Sequence, residues 1–358
     1  MAKLNEGDIV EGLFTIALAL HLAYGKVDKS ALNKIRTQID TKMFNTGRFK
    51  YTVASNLKRQ KDKNPADLFN VGFEMRLKPQ SVQGAFDKEY EVLYKSSKDV
   101  GNIDMKINQL ITSFKSASFA KKANDAVNYF LDNNTSDNVT FTVIADGIAG
   151  ESSGGELKGD VTLEVYATAK NSNKKIISGS LPFSLKSESV TVANLSPYHG
   201  MLDFAKAMGI DWDAKEKYIR LSKPFNGSIE QKAKFELITE MYTELKDEIV
   251  KKSKDANFSK TAYAFLRKSI FGSDLANVVD VQRSTVKEIT VEHFDELEKK
   301  TKLIVKVSGN NLIFEGLYKF DKNNTFNLPI FQIRTKLRPP PANEAKFYLE
   351  VGKGIYSK

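Results

Sequence analysis

Residues 8–24, DIVEGLFTIALALHLAY, predict a helix that is apolar on almost every side, with Asn5 as its N-cap and acids in its first turn. Such a helix cannot lie on a surface and needs a core around it. It falls short of the ~20 apolar residues that cross a bilayer, and Glu11 and His21 interrupt it. It also lacks the basic leader and small-residue cleavage site of a signal peptide. The expectation is an intracellular (cytoplasmic) protein that is not secreted, has no transmembrane segment and has no membrane partner. Glu11 stands out, because burying an ionised carboxylate among apolar residues is expensive unless a metal or a cation meets it.

Around that helix the chain has 358 residues, which at roughly 100–200 per domain suggests two domains. Hydrophobic residues make up 41%, enough for a large core, so wholesale disorder is excluded. The formal net charge of +10 favours a polyanionic partner, nucleic acid first. With no cysteine, disulfides, thiolate zinc sites, iron–sulfur clusters and Cys nucleophiles are excluded. Only three histidines are present (His21, His199 and His293), so a metal would have to be held by oxygen: Mg²⁺, Mn²⁺ or Ca²⁺.

Along the chain, a second helix is expected at about 28–40, a basic cluster (Arg48, Lys50, Lys58, Arg59, Lys61, Lys63) at 47–65, and a strand at 68–78. The cluster reads either as a solvated rim or as a phosphate-tracking strip with Phe49 and Tyr51 interleaved. One long helix or two shorter ones fit 103–131. A strand at 138–148 and a glycine-rich turn at 147–159 lead into a β-hairpin, GDVTLEVYATAK–NSNK–KIISGSLPFSLKS. Helices are expected at 197–209, 228–255 and 259–271, then strands near 286–292, 301–307, 311–318, 328–338 and 346–352. The division proposed is 1–215, an α/β core with an insertion at about 41–137, and 216–358, a helical segment with a smaller α+β region that would serve as a DNA-binding or structural extension.

The glycine-rich turn contains no G-x-x-x-x-G-K-[ST] or G-x-G-x-x-G, so it is not a phosphate loop of those kinds, and no G-x-S-x-G elbow occurs. The hairpin carries more. In its first strand Asp160, Thr162 and Glu164 alternate with Val161, Leu163 and Val165; in its second, Ser178, Ser180, Ser184 and Lys186 share the polar face. A turn centred on Ser172 or Asn173 sets Asp160 across from Ser184 or Lys186, where Cβ atoms stand only ~4.5–5.5 Å apart. A carboxylate and an ammonium group then converge at one end of the hairpin.

With Gly159-Asp160 on one strand and Ser184-Leu185-Lys186 on the next, this arrangement resembles the active-site hairpin of the PD-(D/E)XK nuclease superfamily. The resemblance covers residues 8–24 and roughly 140–209. It implies a restriction-endonuclease-like α/β fold, a mixed central sheet flanked by helices, and Mg²⁺-dependent (or Mn²⁺-dependent) hydrolysis of phosphodiester bonds in DNA. Asp160 would bind the metal, Lys186 would assist the nucleophile or stabilise developing charge, and Glu11 would take the place of the helical acid. The sequence departs from the pattern at Ser184, where a Glu is usual and only a hydroxyl ligand is left. Glu188 shares the strand face of Lys186 and is the better substitute; Glu164 lies about 13 Å along its strand from Asp160, and Glu156 sits in the glycine-rich turn. The plain alternative is a surface salt bridge, Asp160 with Lys186, worth at most ~1 kcal/mol.

Arg334, Lys336 and Arg338 alternate along one face of FQIRTKLR and form a second candidate DNA-contact row beside Lys58, Arg59 and Lys61. DNA is the expected partner, and a homodimer is compatible with the reading. Two rivals remain open: a non-enzymatic DNA-binding protein on a degenerate nuclease fold, and a virus-particle structural or assembly protein.

Overall fold

The structure is a computed structural model that describes residues 6–42, 48–58, 68–76, 97–115, 117–132, 139–146, 159–168, 175–187, 191–195, 199–210, 228–282, 285–319, 325–339, 341–342 and 344–357. The chain is mixed α/β and divides into two compact units that interleave in sequence. The first takes residues 1–188 and 271–288; the second takes 189–270 and 289–357. The sequence reading cut the chain once, near 215. The interleaving arises because a strand beyond residue 270 returns to the first sheet.

In the first unit, α1 (Glu6–Tyr24), α2 (Lys29–Lys42), α3 (Ser97–Ser113) and α4 (Ser118–Asp132) accompany a seven-stranded mixed sheet. Its strands are β1 (Arg48–Lys58), β2 (Leu68–Arg76), β3 (Val139–Asp146), β4 (Val161–Thr168), β5 (Lys175–Ser187), β7 (Asn277–Val281) and β8 (Val286–Ile289), adjacent in that order. β2–β3 and β5–β7 are parallel; β1–β2, β3–β4 and β4–β5 are antiparallel. β1 and β2 are therefore part of the central sheet, although the sequence placed them in an insertion. Residues 103–131 form two helices, α3 and α4.

Period-2 alternation divides this sheet into two unlike faces. Phe73, Val143, Val161, Leu163, Phe183, Val279 and Val281 join the core cluster with α1. Helix α1 lies in that core as its composition requires: Val10, Leu13, Phe14 and Ile16 to Leu20 are buried. The Phe14 ring stands 5.5 Å from Phe183 and 5.3 Å from Phe119. On the opposite face the same strands present Lys50, Glu74, Arg76, Thr142, Asp146, Thr162, Glu164, Ser184 and Lys186. Lys106 and Lys122 reach from α3 and α4 to the carbonyl of Val281 (2.7 Å) and the Asn277 amide oxygen (3.0 Å), fixing β7 at its place.

The second unit holds α5 (His199–Ala207), α6 (Ser228–Lys252), α7 (Phe258–Phe271) and α8 (Val291–Lys300), with a 3-10 turn at Lys353–Ile355. Its five-stranded antiparallel sheet runs β6 (Thr191–Leu195), β12 (Glu344–Val351), β11 (Thr325–Arg338), β10 (Asn311–Lys319), β9 (Thr301–Ser308). Stacked Phe314 and Phe331, 3.9 Å apart, and Tyr242 against Phe347 fill its core. One expectation is corrected here. The strand read at 286–292 stops at Ile289, and Thr290 caps a helix by accepting a hydrogen bond from the His293 N–H. Phe294 and Leu297, three apart and both buried, share its inner stripe. Among the described residues, no helix is long and apolar enough to cross a membrane.

Candidate active site

β4 begins at Val161, so the β4–β5 ladder runs out of strand just where β5 continues. Asp160 completes it twice over. Its N–H donates to Phe183 O (2.8 Å), and its carboxylate oxygen Oδ2 accepts the next ladder donor, the Leu185 N–H, at 2.7 Å. The same oxygen accepts from Ser184 Oγ (3.2 Å) and lies 3.8 Å from Lys186 Nζ. The register pairs Val161 with Phe183, which places Asp160 opposite Ser184, one of the two settings expected from the turn. Gly159 makes the approach possible: a Cβ there would stand 2.8 Å from the Cβ of Pro182 and 3.0 Å from Asp274 Oδ2, the oxygen that accepts the Gly159 N–H.

Ser184 is buried, whereas the Asp160 and Lys186 side chains keep 31% and 26% exposure, so a ligand can meet the charged pair from solvent. Glu11 sits half-buried on α1, on the helix-covered side of the sheet. A Cβ on its neighbour Gly12 would meet Met75 Cε at 3.7 Å, which sets this turn of α1 over the C-terminal end of β2. That is the end of the sheet where Asp146 and Asp160 stand, since Arg76 pairs with Asp146 and the Asp146 N–H donates to Asp160 O. Glu188, Glu156, Arg59 and Lys61 lie outside the described residues.

Three acids near this end were not singled out from the sequence. Asp146 stands across from Asp160 at the end of β3, held by Arg76 at 2.9 Å. Asp280, 1% exposed, is the register partner of Lys186 on β7, and Gln282 Nε2 donates to its Oδ2 (2.8 Å). Glu74 is 4% exposed beneath Arg76 (2.8 Å), Lys50 (3.0 Å) and Arg48 (4.0 Å). Its burial works against ionisation, but the hydrogen bonds and charges of Arg76 and Lys50 prevail and hold its carboxyl below the usual range. Glu164, further along the same face, is pushed up by burial, with Glu74 and Asp146 adding to the rise and Arg76 opposing it. Period-2 alternation along 138–148 sets Asp146 on the same face as Thr140 and Thr142, the signal in the sequence that could have found it.

A divalent cation needs several hard oxygen ligands. Among the described residues, no group of three or more His, Cys, Asp or Glu side chains is arranged to hold a metal ion. The described hairpin oxygens that meet beside Lys186 are the Asp160 carboxylate, already accepting two hydrogen bonds, and the Ser184 hydroxyl. By themselves they fall short of a Mg²⁺ site.

The second candidate row is differently built. Arg334 is bound to Glu350 (2.6 Å) and lies 4.4 Å over the Tyr348 ring. Lys336 and Arg338 share Glu344, each at 3.4 Å, with Lys346 at 2.6 Å. Lys58 is exposed at the end of β1. Phe49 and Tyr51 turn to the helix-covered side, where Tyr51 stacks with Phe49 and Phe73 and Phe49 meets Phe73 at a tilt, so they offer no platform to bases beside Lys50. Compared with protein-family models, with curated proteins and with solved structures, the chain matches none.

Proposed function

We propose that the protein is a nuclease that hydrolyses phosphodiester bonds in DNA with Mg²⁺ or Mn²⁺, at the end of the sheet where Asp160, Ser184 and Lys186 meet. The observation that supports this most is the Asp160 carboxylate, pinned by Leu185 N–H and Ser184 Oγ with the Lys186 ammonium 3.8 Å away. A surface salt bridge needs only the two charges. Here a backbone donor and a buried hydroxyl also fix the orientation of the acid, as a preorganised site requires. Lys186 would stabilise charge developing on the scissile phosphate or orient the attacking water, and Ser184 would keep Asp160 from turning. The metal, for which Asp160 and Ser184 would need Glu188 as a further ligand, would supply positive charge against the phosphate.

The test is plasmid cleavage by purified protein in Mg²⁺, in Mn²⁺ and in EDTA. Asp160→Asn and Lys186→Ala should each abolish cleavage with little change in stability, because both side chains are partly exposed. Cleavage that survives both substitutions, or that persists in EDTA, would remove the reading. A second reading, DNA binding without cleavage on a degenerate site, is favoured because no three described acids or histidines are arranged to hold a metal ion. It predicts DNA binding by the wild type with no nicking in either metal.

A further inference from the structure

The polar face of β1, β2 and β3 carries a groove enclosing about 530 Å³, lined by Lys50, Thr52, Asn70, Arg76, Thr140 and Thr142 among others. Ligand pockets commonly run to roughly 300–1,000 Å³, and the groove falls within that range. Gly72 forms part of its lining with no side chain, and a Cβ there would press on Tyr51 O at 2.8 Å. Its polar side chains are hydroxyls, an amide, the cations Lys50 and Arg76 and the Glu74 carboxylate that both cations meet, a lining suited to a sugar–phosphate rather than to an apolar molecule.

The charges are arranged so that one can be given up. Glu74 is met by Arg76, Lys50 and Arg48, and the Arg76 contact at 2.8 Å persists if Lys50 swings away. Lys50 and Arg48 are each 67% exposed. Arg76 also binds Asp146, whose N–H donates to Asp160 O. From β2 to the Asp160 lane is two strand spacings of ~4.8 Å.

From this we infer that the groove binds the sugar–phosphate of a single DNA strand a short way from the bond cut at Asp160 and Lys186, with Lys50 as its phosphate contact. The inference rests on the proposed action on DNA and names the residues that hold the flanking strand.

Fluorescence anisotropy with a labelled single-stranded oligonucleotide in EDTA tests it without cleavage. Lys50→Ala should weaken binding about tenfold, the factor that corresponds to 1.4 kcal/mol. It should also flatten the log–log salt slope by about 0.7, one phosphate contact on a single strand. Thr142→Tyr puts a ring into the groove without touching a charge and should weaken binding at least as much; if it does not fold by circular dichroism, Ser55→Tyr on the exposed rim takes its place. Affinities within twofold of wild type for Lys50→Ala and the groove-filling variant overturn the inference. So does a duplex that binds as tightly and responds equally to Lys50→Ala. Variants that weaken binding while wild type cleaves in neither Mg²⁺ nor Mn²⁺ keep the groove and remove the nuclease reading. Wild-type cleavage with binding indifferent to the variants keeps the nuclease and removes the groove.

Discussion

Glu74 and Glu350 are nearly equal in burial, 4% and 5% exposed, and each sits on a strand of a different sheet. Their partners differ. Glu74 has three cations, two of them largely exposed. Glu350 has Arg334 as its cation, with the Gln332 amide at 2.8 Å and the Thr191 hydroxyl at 3.5 Å. A buried carboxylate with a spare cation can lend it to a ligand; one with a single cation among the described residues cannot, because removing that partner leaves charge buried and uncompensated. A cation on a strand therefore means opposite things in the two sheets: Lys50 beside Glu74 lines a groove, and Arg334 on Glu350 holds a strand pair together.

The largest expected effect follows directly. Arg334→Ala should destabilise the protein by roughly 2–3 kcal/mol, because Glu350 loses its cation. Lys50→Ala should cost less than about 0.5 kcal/mol, because Glu74 keeps Arg76. Urea unfolding of both variants decides it. Equal losses would erase the distinction between the two carboxylates.

A smaller effect, on the same face as Glu74, is set by pH. The folded protein holds Glu74 below the ordinary value of 4.5, so its stabilisation is complete above about pH 4.5 and is lost as pH falls through the lower folded value. Glu164 has the opposite sign. Its folded value is raised, so it favours the folded state below 4.5 and loses that advantage as pH rises through the raised value. Thermal unfolding from pH 7 to pH 3 should show a shallower acid limb in Glu74→Gln than in wild type. Glu164→Gln should gain stability relative to wild type near neutral pH and lose that gain in acid. An acid limb unchanged in Glu74→Gln would mean that Arg76 and Lys50 do not govern its ionisation.

How much of this the sequence discloses depends on how local the cause is. Helix α1 is legible because a run with apolar residues on every side has nowhere to go but a core. The Asp160–Ser184–Lys186 convergence is legible because period-2 alternation and a short turn leave only two settings of the hairpin. β7 is not, since NVVDV is five buried residues whose partner, β5, lies some ninety positions earlier and joins it in parallel. Helix α8 is masked by the alternation of VKEITVEH, which reads as a strand until Thr290 is seen as a cap. The groove depends on the β1–β2 register, whose shifts at Thr52–Ala54 and Ala54–Leu57 no pattern in β1 announces. A row of cations can be read from sequence, but the number of carboxylates each one answers to cannot.

The smallest expected effect separates the three cations of β11. Arg334 is committed to Glu350 and to the Tyr348 ring, so it is a poor phosphate contact. Lys336 and Arg338 share Glu344 with Lys346, and Lys346 at 2.6 Å can satisfy that carboxylate after both have turned away. Arg338 is also the most exposed of the three, at 59%. If this row touches DNA at all, the salt dependence of duplex binding should distinguish them. Arg338→Ala should flatten the log–log slope by at most about 0.9, the value of one duplex phosphate contact. Arg334→Ala, measured where the variant is still folded, should leave the slope unchanged while lowering stability. A slope that responds to Arg334→Ala and not to Arg338→Ala would invert the assignment, because the cation bound to the buried Glu350 would then be the one reaching the backbone. A slope indifferent to both confines the electrostatic footprint on the duplex to other cations, of which Lys58, exposed at the end of β1, is the first to measure.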